Sequence, residues 1–255
     1  MPPKYLSKSS IKSMIKDGLQ AEAEKKTYYS SEENLVCRVG SEFDQPTIIP
    51  LGCRPTKGTG RTNRTGDSVN AISGKVDIYL TMRNRIDTAN VRKPQRVRVL
   101  VVSQKDSVAS PVESGTNPSA AELDQLFWEG STNDGFLANM SDMFRNVNRQ
   151  VWTVHEDFQF TLGYSVTYDP SAGVVPEDHQ MYGSTFDTTK RIIVKAPKSC
   201  LGDLTYGIDG VADEPNKKAW ILIQHVPIDG STATGGTAGG ALEMASSTMF
   251  RFTDM

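Results

Sequence analysis

From about residue 35 onward, apolar positions recur with a period of two, the repeat of strands with one buried face. Runs rich in Val, Ile, Thr and aromatic residues fall at 35–39, 47–51, 69–82, 96–103, 150–162, 191–195, 219–226 and 248–253, and each reads as a strand. In the third run Ile72, Gly74, Val76, Ile78, Leu80 and Met82 share one face, with Ser73, Lys75, Asp77, Tyr79 and Thr81 opposite. In the fifth, Trp152, Val154, Phe158 and Phe160 oppose Thr153, His155, Asp157 and Thr161, and Glu156 fits neither side. The connections at 52–68, 106–117, 163–189 and 228–246 are long and polar. That suits strands crossing between two sheets, with the loops at the ends of a sandwich. One helix is expected inside a connection, where Asn117, Pro118 and Ser119 precede AAELDQLFWE and Gly130 ends it.

The N-terminal segment has a different period. Lys4, Lys8, Lys12 and Lys16 recur every four residues with no acid before Asp17, so a helix capped by Ser9 or Ser10 and running to about Leu19 would carry them as one stripe. The expected organisation is therefore a basic, partly helical arm over 1–34 and a β domain over 35–255.

Composition narrows the chemistry. The 255 residues are 37% hydrophobic and carry 28 Lys+Arg against 30 Asp+Glu, enough apolar content for a core and no global basicity. No apolar run of membrane-spanning length and no signal-peptide core stands in the sequence, which is read as soluble, made in a reducing compartment and without a membrane partner. Cys37, Cys53 and Cys200 have no CxxC pairing, and His155, His179 and His225 are scattered, so neither a disulfide framework nor a metal site is expected. The glycines of DGSTATGGTAGGA read as a surface loop, since no GxxxxGK[ST] occurs. Catalytic signatures are likewise missing, and no enzyme activity or cofactor is expected. His155 and Asp157, two apart on one strand face, read as a structural pair. Glu156–Asp157, Glu177–Asp178 and Asp213–Glu214 are the acid pairs from which a Ca²⁺ contact between subunits could be built.

Charge is segregated along the chain. Arg54, Lys57, Arg61 and Arg64 crowd the first long loop before Asp67, and Arg83, Arg85, Arg92, Lys93, Arg96 and Arg98 follow. Donors on a Gly/Thr-rich loop suit a polyanion. The acids concentrate after residue 113.

The order of these pieces resembles that of the single jelly-roll capsid proteins of small circular, Rep-encoding single-stranded DNA viruses. The likeness covers roughly 35–255. It rests on Arg64, Gly66, Asp67 and Val69 at the entry to the long strand, on the basic, valine-rich run from Arg96 to Asp106, and on Asn146, Asn148, Trp152, Val154 and Asp157. The arm departs from the family by being short and lysine-based. The resemblance implies an eight-stranded antiparallel jelly-roll sandwich of two four-stranded sheets, with a short helix in a loop and a basic N-terminal segment. Within it, one version makes 204–208 the seventh strand and fuses the first two short runs into one broken strand; this is the preferred assignment. The implied function is an icosahedral shell built from copies of the chain around a single-stranded DNA genome, with an unidentified host receptor as a further partner. The implied places are the virion and, during assembly, host cytoplasm and nucleus. Genome contacts are expected from Lys4, Lys8, Lys12, Lys16, Arg54, Lys57, Arg61 and Arg64, with the loops 163–189 and 228–246 outside. Three alternatives stay open: a coat protein of a small positive-strand RNA virus, a carbohydrate-binding sandwich using Tyr164, Tyr168 and Tyr182, and a cupin-type enzyme, which three scattered histidines disfavour.

Overall fold

A computed structural model of the chain describes residues 24–37, 46–82, 94–105, 127–130, 136, 137, 139–163, 186–207, 215–217, 219–228, 230 and 241–254, with positions 7, 8, 10, 12 and 14 near the N-terminus. Among the described residues nine strands form two antiparallel sheets: β1 (Lys25–Val36), β2 (Thr47–Leu51), β3 (Ser68–Met82), β4 (Gln95–Gln104), β5 (Trp152–Leu162), β6 (Thr189–Lys195), β7 (Gly202–Thr205), β8 (Ala219–Pro227) and β9 (Leu242–Asp254). One sheet runs β1-β9-β3-β6 and the other β2-β8-β4-β5. This order, in which the chain changes sheet at every step except β4 to β5 and β6 to β7 and in which β9 lies beside β1, is that of a jelly roll. The β7 strand pairs with Ser68–Ala71 of β3, and β6 pairs with Lys75–Thr81 on the same edge. The two therefore share one position, and the sandwich is four strands wide in each layer.

Several expected boundaries move. The first two short runs are not one broken strand, because β1 and β2 belong to different sheets. The broken strand is instead β6 with β7, which stops at Thr205 rather than reaching 208. The first strand begins at Lys25, across the 34/35 boundary, and β9 begins at Leu242 inside the expected last loop. The helix expected after Asn117 lies mostly outside the described residues. At Phe127–Gly130 the chain makes a bend, a bridge from Trp128 to Val147 and a turn with Gly130 at φ +73°, so that helix does not extend to its expected stop.

Two bulges correct the face assignments. On β3 the pairing with β9 steps from Ala71 to Ser73, leaving Ile72 as the extra residue, 47% exposed. Residues 74–82 keep the expected alternation. On β5 the pairing with β4 passes from Val102↔Val154 to Val101↔Glu156, so His155 is the extra residue. Trp152 and Val154 therefore face away from the sandwich interior while Phe158 and Phe160 pack against it. The same slip explains Glu156, which takes the inward phase at the exposed sheet edge.

The main core lies between the sheets and includes Val76, Ile78, Leu80, Val97, Val99, Val101, Ile221, Ile223, Phe250 and Phe252. Gly74 opposes Phe250 across the β3/β9 ladder, and a Cβ at this position would sit 2.1 Å from the phenyl ring. Gly74→Ala is expected to cost about 2 kcal/mol through overpacking, read as a lowered midpoint in urea with an unchanged m-value.

The two outer faces differ. Every residue of β8, AWILIQHVP, is buried, because residues 127–130, 136, 137 and 139–151 lie over the β2-β8-β4-β5 sheet. Phe127, Trp128, Phe136 and Val147 meet Leu100, Val102, Trp152, Trp220 and Leu222 in a second core, with ring centroids 4.9 Å apart for Phe127–Trp128 and 6.0 Å for Trp152–Trp220. Among the described residues no segment covers the outer face of β1-β9-β3-β6.

Arg98 of β4 fastens the cover. Its Nε and Nη2 donate to the two oxygens of Asp157 at 2.9 and 2.7 Å, and its Nη1 donates to the carbonyls of Asp142 and Arg145 at 2.7 and 2.8 Å. Asp142 sits in the 3-10 turn Met140–Met143, fully buried, and accepts from Gln224 Nε2 at 2.7 Å. The guanidiniums of Arg98 and Arg145 both lie over the Trp128 ring.

Candidate nucleic-acid interface

Of the arm lysines, Lys8 and Lys12 are described: both are helical and exposed, one turn apart. The helix is capped by Ser7, whose Oγ accepts from the Ser10 backbone N–H at 3.1 Å, rather than by the expected Ser9 or Ser10 two or three residues later. Lys4 and Lys16 lie outside the described residues.

The loop 52–67 is a folded lobe rather than a flexible tether. Arg64, 5% exposed, donates from Nε to the Pro55 carbonyl at 3.2 Å and from Nη1 to the Gly66 carbonyl and to Asp67 Oδ1. Its guanidinium lies 4.3 Å from the centroid of Tyr206, whose hydroxyl donates to the Cys53 carbonyl at 2.9 Å. Arg64 is thus corrected from a genome contact to the residue that folds the loop: its donors and its planar face are engaged inside the protein. Arg64→Leu is expected to cost about 2 kcal/mol and to open 54–66 to trypsin or subtilisin while the sheets persist.

The remaining loop cations divide. Arg54 is half-buried; Lys57 is exposed and paired with Asp67 at 2.9 Å, which holds that carboxyl below its usual range; Arg61 is exposed at the turn. The lobe is tied to the first sheet by Lys26, 7% exposed, whose Nζ donates to Asp254 Oδ2 at 2.6 Å and to the Asn63 carbonyl at 3.2 Å. Thr65 Oγ1 donates to the same carboxylate at 2.8 Å. The exposed loop cations therefore stand at the Lys25/Thr253 end of the β1-β9-β3-β6 sheet.

A further set of cations comes together that no sequence cluster announces. On the bare outer face, cross-strand register aligns Tyr29, Met249, Lys75 and Lys195 across β1, β9, β3 and β6. Arg251 stands two positions along β9 from Met249, and Lys25 two further positions away opposite Thr253. Asp77 shares this face, but Arg191 engages both its oxygens, with Nε to Oδ1 at 2.9 Å, and lowers its pKa. Glu243 lies at one end of the face and Asp203 at the other.

The other groups singled out in the sequence do not form a chemical site. His155 Nε2 lies 2.8 Å from Ser103 Oγ and 3.4 Å from Ser199 Oγ, whereas Asp157 is held by Arg98; the two do not pair, because the bulge at His155 turns it from the Asp157 side. Burial lowers the His155 pKa. The three cysteines are free and buried, and burial raises their thiols to about 12 at Cys37, about 12 at Cys53 and about 11 at Cys200, which leaves them poor nucleophiles at neutral pH. A cleft of about 220 Å³ between β5 and the 127–151 cover sets Arg98 and Arg149 beside Glu129 and Asp157, two cations against two anions. Among the described residues no group of three His, Cys, Asp or Glu converges on a metal position. Glu177, Asp178, Asp213 and Glu214, the tyrosines 164, 168 and 182, and the tips of the two loops expected outside all lie outside the described residues.

No protein-family model and no curated protein matches the chain. Solved structures that resemble it include Desmodium yellow mottle tymovirus, at 10% identity and TM-score 0.34 over 100% of this chain and 93% of that one. Another is mud crab tombus-like virus, at 10% identity and TM-score 0.37 over 91% and 90%. The empty head of turnip yellow mosaic virus is a third, at 9% identity and TM-score 0.36 over 100% and 86%. At these scores the fold assignment stands on the strand order above.

Proposed function

We propose that the chain is a structural capsid protein whose copies close into an icosahedral shell around a single-stranded DNA genome. The observation that carries this reading is the paired strand order β1-β9-β3-β6 and β2-β8-β4-β5, in a chain whose motif order resembles single jelly-roll coats. A shell requires one rigid wedge repeated through heterologous contacts that close, and a sandwich with a fastened cover on one side supplies such a body. Its other half is a charge that meets phosphate without reading bases: the arm lysines Lys4, Lys8, Lys12 and Lys16, with Arg54, Lys57 and Arg61 on the loop lobe. Copies of the chain, the genome and a host receptor are its partners. The virion is its place, with host cytoplasm and nucleus as the compartments of assembly.

Phosphate contacts serve RNA as well as DNA, so an RNA genome is the second reading. Negative-stain electron microscopy of the purified protein, with absorbance at 260 and 280 nm before and after DNase or RNase, tests both. Uniform round shells whose protected content, once released, is degraded by DNase support the main reading, and RNase-sensitive content supports the second. A small monodisperse species across salt and pH overturns the capsid reading. Replacing the four arm lysines by Glu is expected to lower packaged nucleic acid with an unchanged melting midpoint; unaltered content would remove the arm from the interface.

A further inference from the structure

The outer face of the β1-β9-β3-β6 sheet, which no described segment covers, has an unusual composition for solvent. Tyr29 is 59% exposed, Tyr79 48% and Ile193 50%, and all three project from it beside Lys25, Lys75, Lys195, Arg251 and the paired Arg191. Lys75 and Lys195 lie directly opposite each other on neighbouring strands, an arrangement that repels unless an anion sits between or above the ammoniums. Among the described residues five cations share the face with Asp77, Glu243 and Asp203, and Glu33 stands exposed in the β1 bulge opposite Ala245. Asp77 is held by Arg191 and also attracts Lys75, and the others stand toward the ends, so the described carboxylates offset the Lys75/Lys195/Arg251 centre only in part.

The occupant is chosen by charge and shape. A second copy of this face would bring one Lys75/Lys195 pair against another. A polyanion relieves that repulsion, and an exposed tyrosine ring on a flat sheet accepts an unpaired base by stacking, which a closed duplex does not offer. By strand spacing Tyr29 and Tyr79 stand about 17 Å apart, with Ser247 between them and the Lys75/Lys195 pair in the cross-strand row of Tyr29. We propose that this face is a binding platform for single-stranded nucleic acid, with Tyr29 and Tyr79 stacking bases and Lys75, Lys195, Arg251 and Lys25 holding phosphates. The platform rests on the capsid reading for the identity of the strand it meets; its binding chemistry is testable without a shell.

The test is fluorescence anisotropy of a labelled 20-nucleotide dT strand with the full chain across a salt series, beside electron microscopy of the same preparations. Lys75→Gln with Lys195→Gln is expected to flatten the slope of log affinity against log salt by about 1.4, the contribution of two contacts to a single strand. Tyr29→Ala is expected to weaken binding about tenfold, and Tyr29→Phe to restore it. All three positions are on the outward face, so melting midpoints should not move. Wild-type slope and affinity in these variants overturn the platform, whether or not shells form. A change in oligomeric state by sedimentation, with oligonucleotide binding unaltered, also overturns it and makes the face a contact between copies. Binding that responds to the variants in a chain that forms no shells upholds the platform and removes the capsid reading instead.

Discussion

Arg98→Ala is expected to destabilise the protein by about 4 kcal/mol, the largest single effect among the charged residues. The guanidinium is 4% exposed and makes two donations to Asp157 and two to the carbonyls of Asp142 and Arg145. Removing it leaves those two carbonyls without their donor beneath the cover, at about 1 to 3 kcal/mol for each unsatisfied group, while the exposed Asp157 loses its counter-ion at little further cost. Arg98→Lys should recover little, since one ammonium cannot serve a carboxylate fork and two divergent carbonyls together. Chemical denaturation measures the loss. The location is read by limited proteolysis: residues 139–151 should become the first site of cleavage, and dye binding should report Trp128, Trp152 and Trp220 released from the second core. Resistance of that segment in the variant would show that aromatic packing alone holds the cover.

Acid should weaken the fold in a window set by His225. This residue is buried on the inward side of β8, with Nδ1 3.2 Å from Gln95 Oε1. Burial, only partly opposed by the Cys37 backbone, lowers its pKa to about 4. The unfolded chain takes up the proton near pH 6.5 while the native one does not, so stability is full above pH 6.5 and falls as pH drops toward 4. The span corresponds to about 3 kcal/mol. His155 shifts in the same direction and adds to the same window. Asp254 and Asp77, whose pKa values are lowered, lose their contribution only below the ordinary carboxylate range, so the two effects separate on the pH axis. Unfolding free energies at pH 7, 5.5 and 4.5 should fall steeply in the wild type and more gently in His225→Gln. Parallel pH profiles for the two proteins would assign the acid loss elsewhere.

The sequence made the sheet class legible where one strand face is uniformly apolar, as over residues 74–82 and in β8. It failed where a single inserted residue changes phase. Nothing in the run containing Ile72 or His155 marks a bulge, and the slip at His155 sends Trp152 and Phe158 to opposite sides of the sheet. β1 escaped notice because KKTYYSSEENLV is an edge strand whose exposed side is almost wholly polar. The first half of β9, LEMASST, reads as loop because only Leu242 and Met244 of its inward positions are apolar, Ser246 and Thr248 following them opposite Ile78 and Val76 of β3. The basic loop was visible by composition, yet composition could not show that Arg64 would be spent on the Pro55 and Gly66 carbonyls. The platform was the least legible feature of all. Each of its strands contributes one or two cations, and only the register of β1, β9, β3 and β6 gathers them.

That register also sets a clock. β9 lies between β1 and β3, and about 160 residues separate the end of β3 from its start. At ribosomal rates of about 5 to 20 residues per second, β3 waits roughly 8 to 30 s after it is made before its principal partner exists. Until β6 is made both edges of β3 are unpaired, and one stays so to the end of the interval; β1 has no neighbour in the sheet, and the tyrosines and lysines of the face are not yet brought together. A nascent chain therefore has no platform to offer a passing nucleic acid. Recognition by this face begins only with finished chains, and the long interval of open edge is when a chaperone or a wrong strand would find this protein.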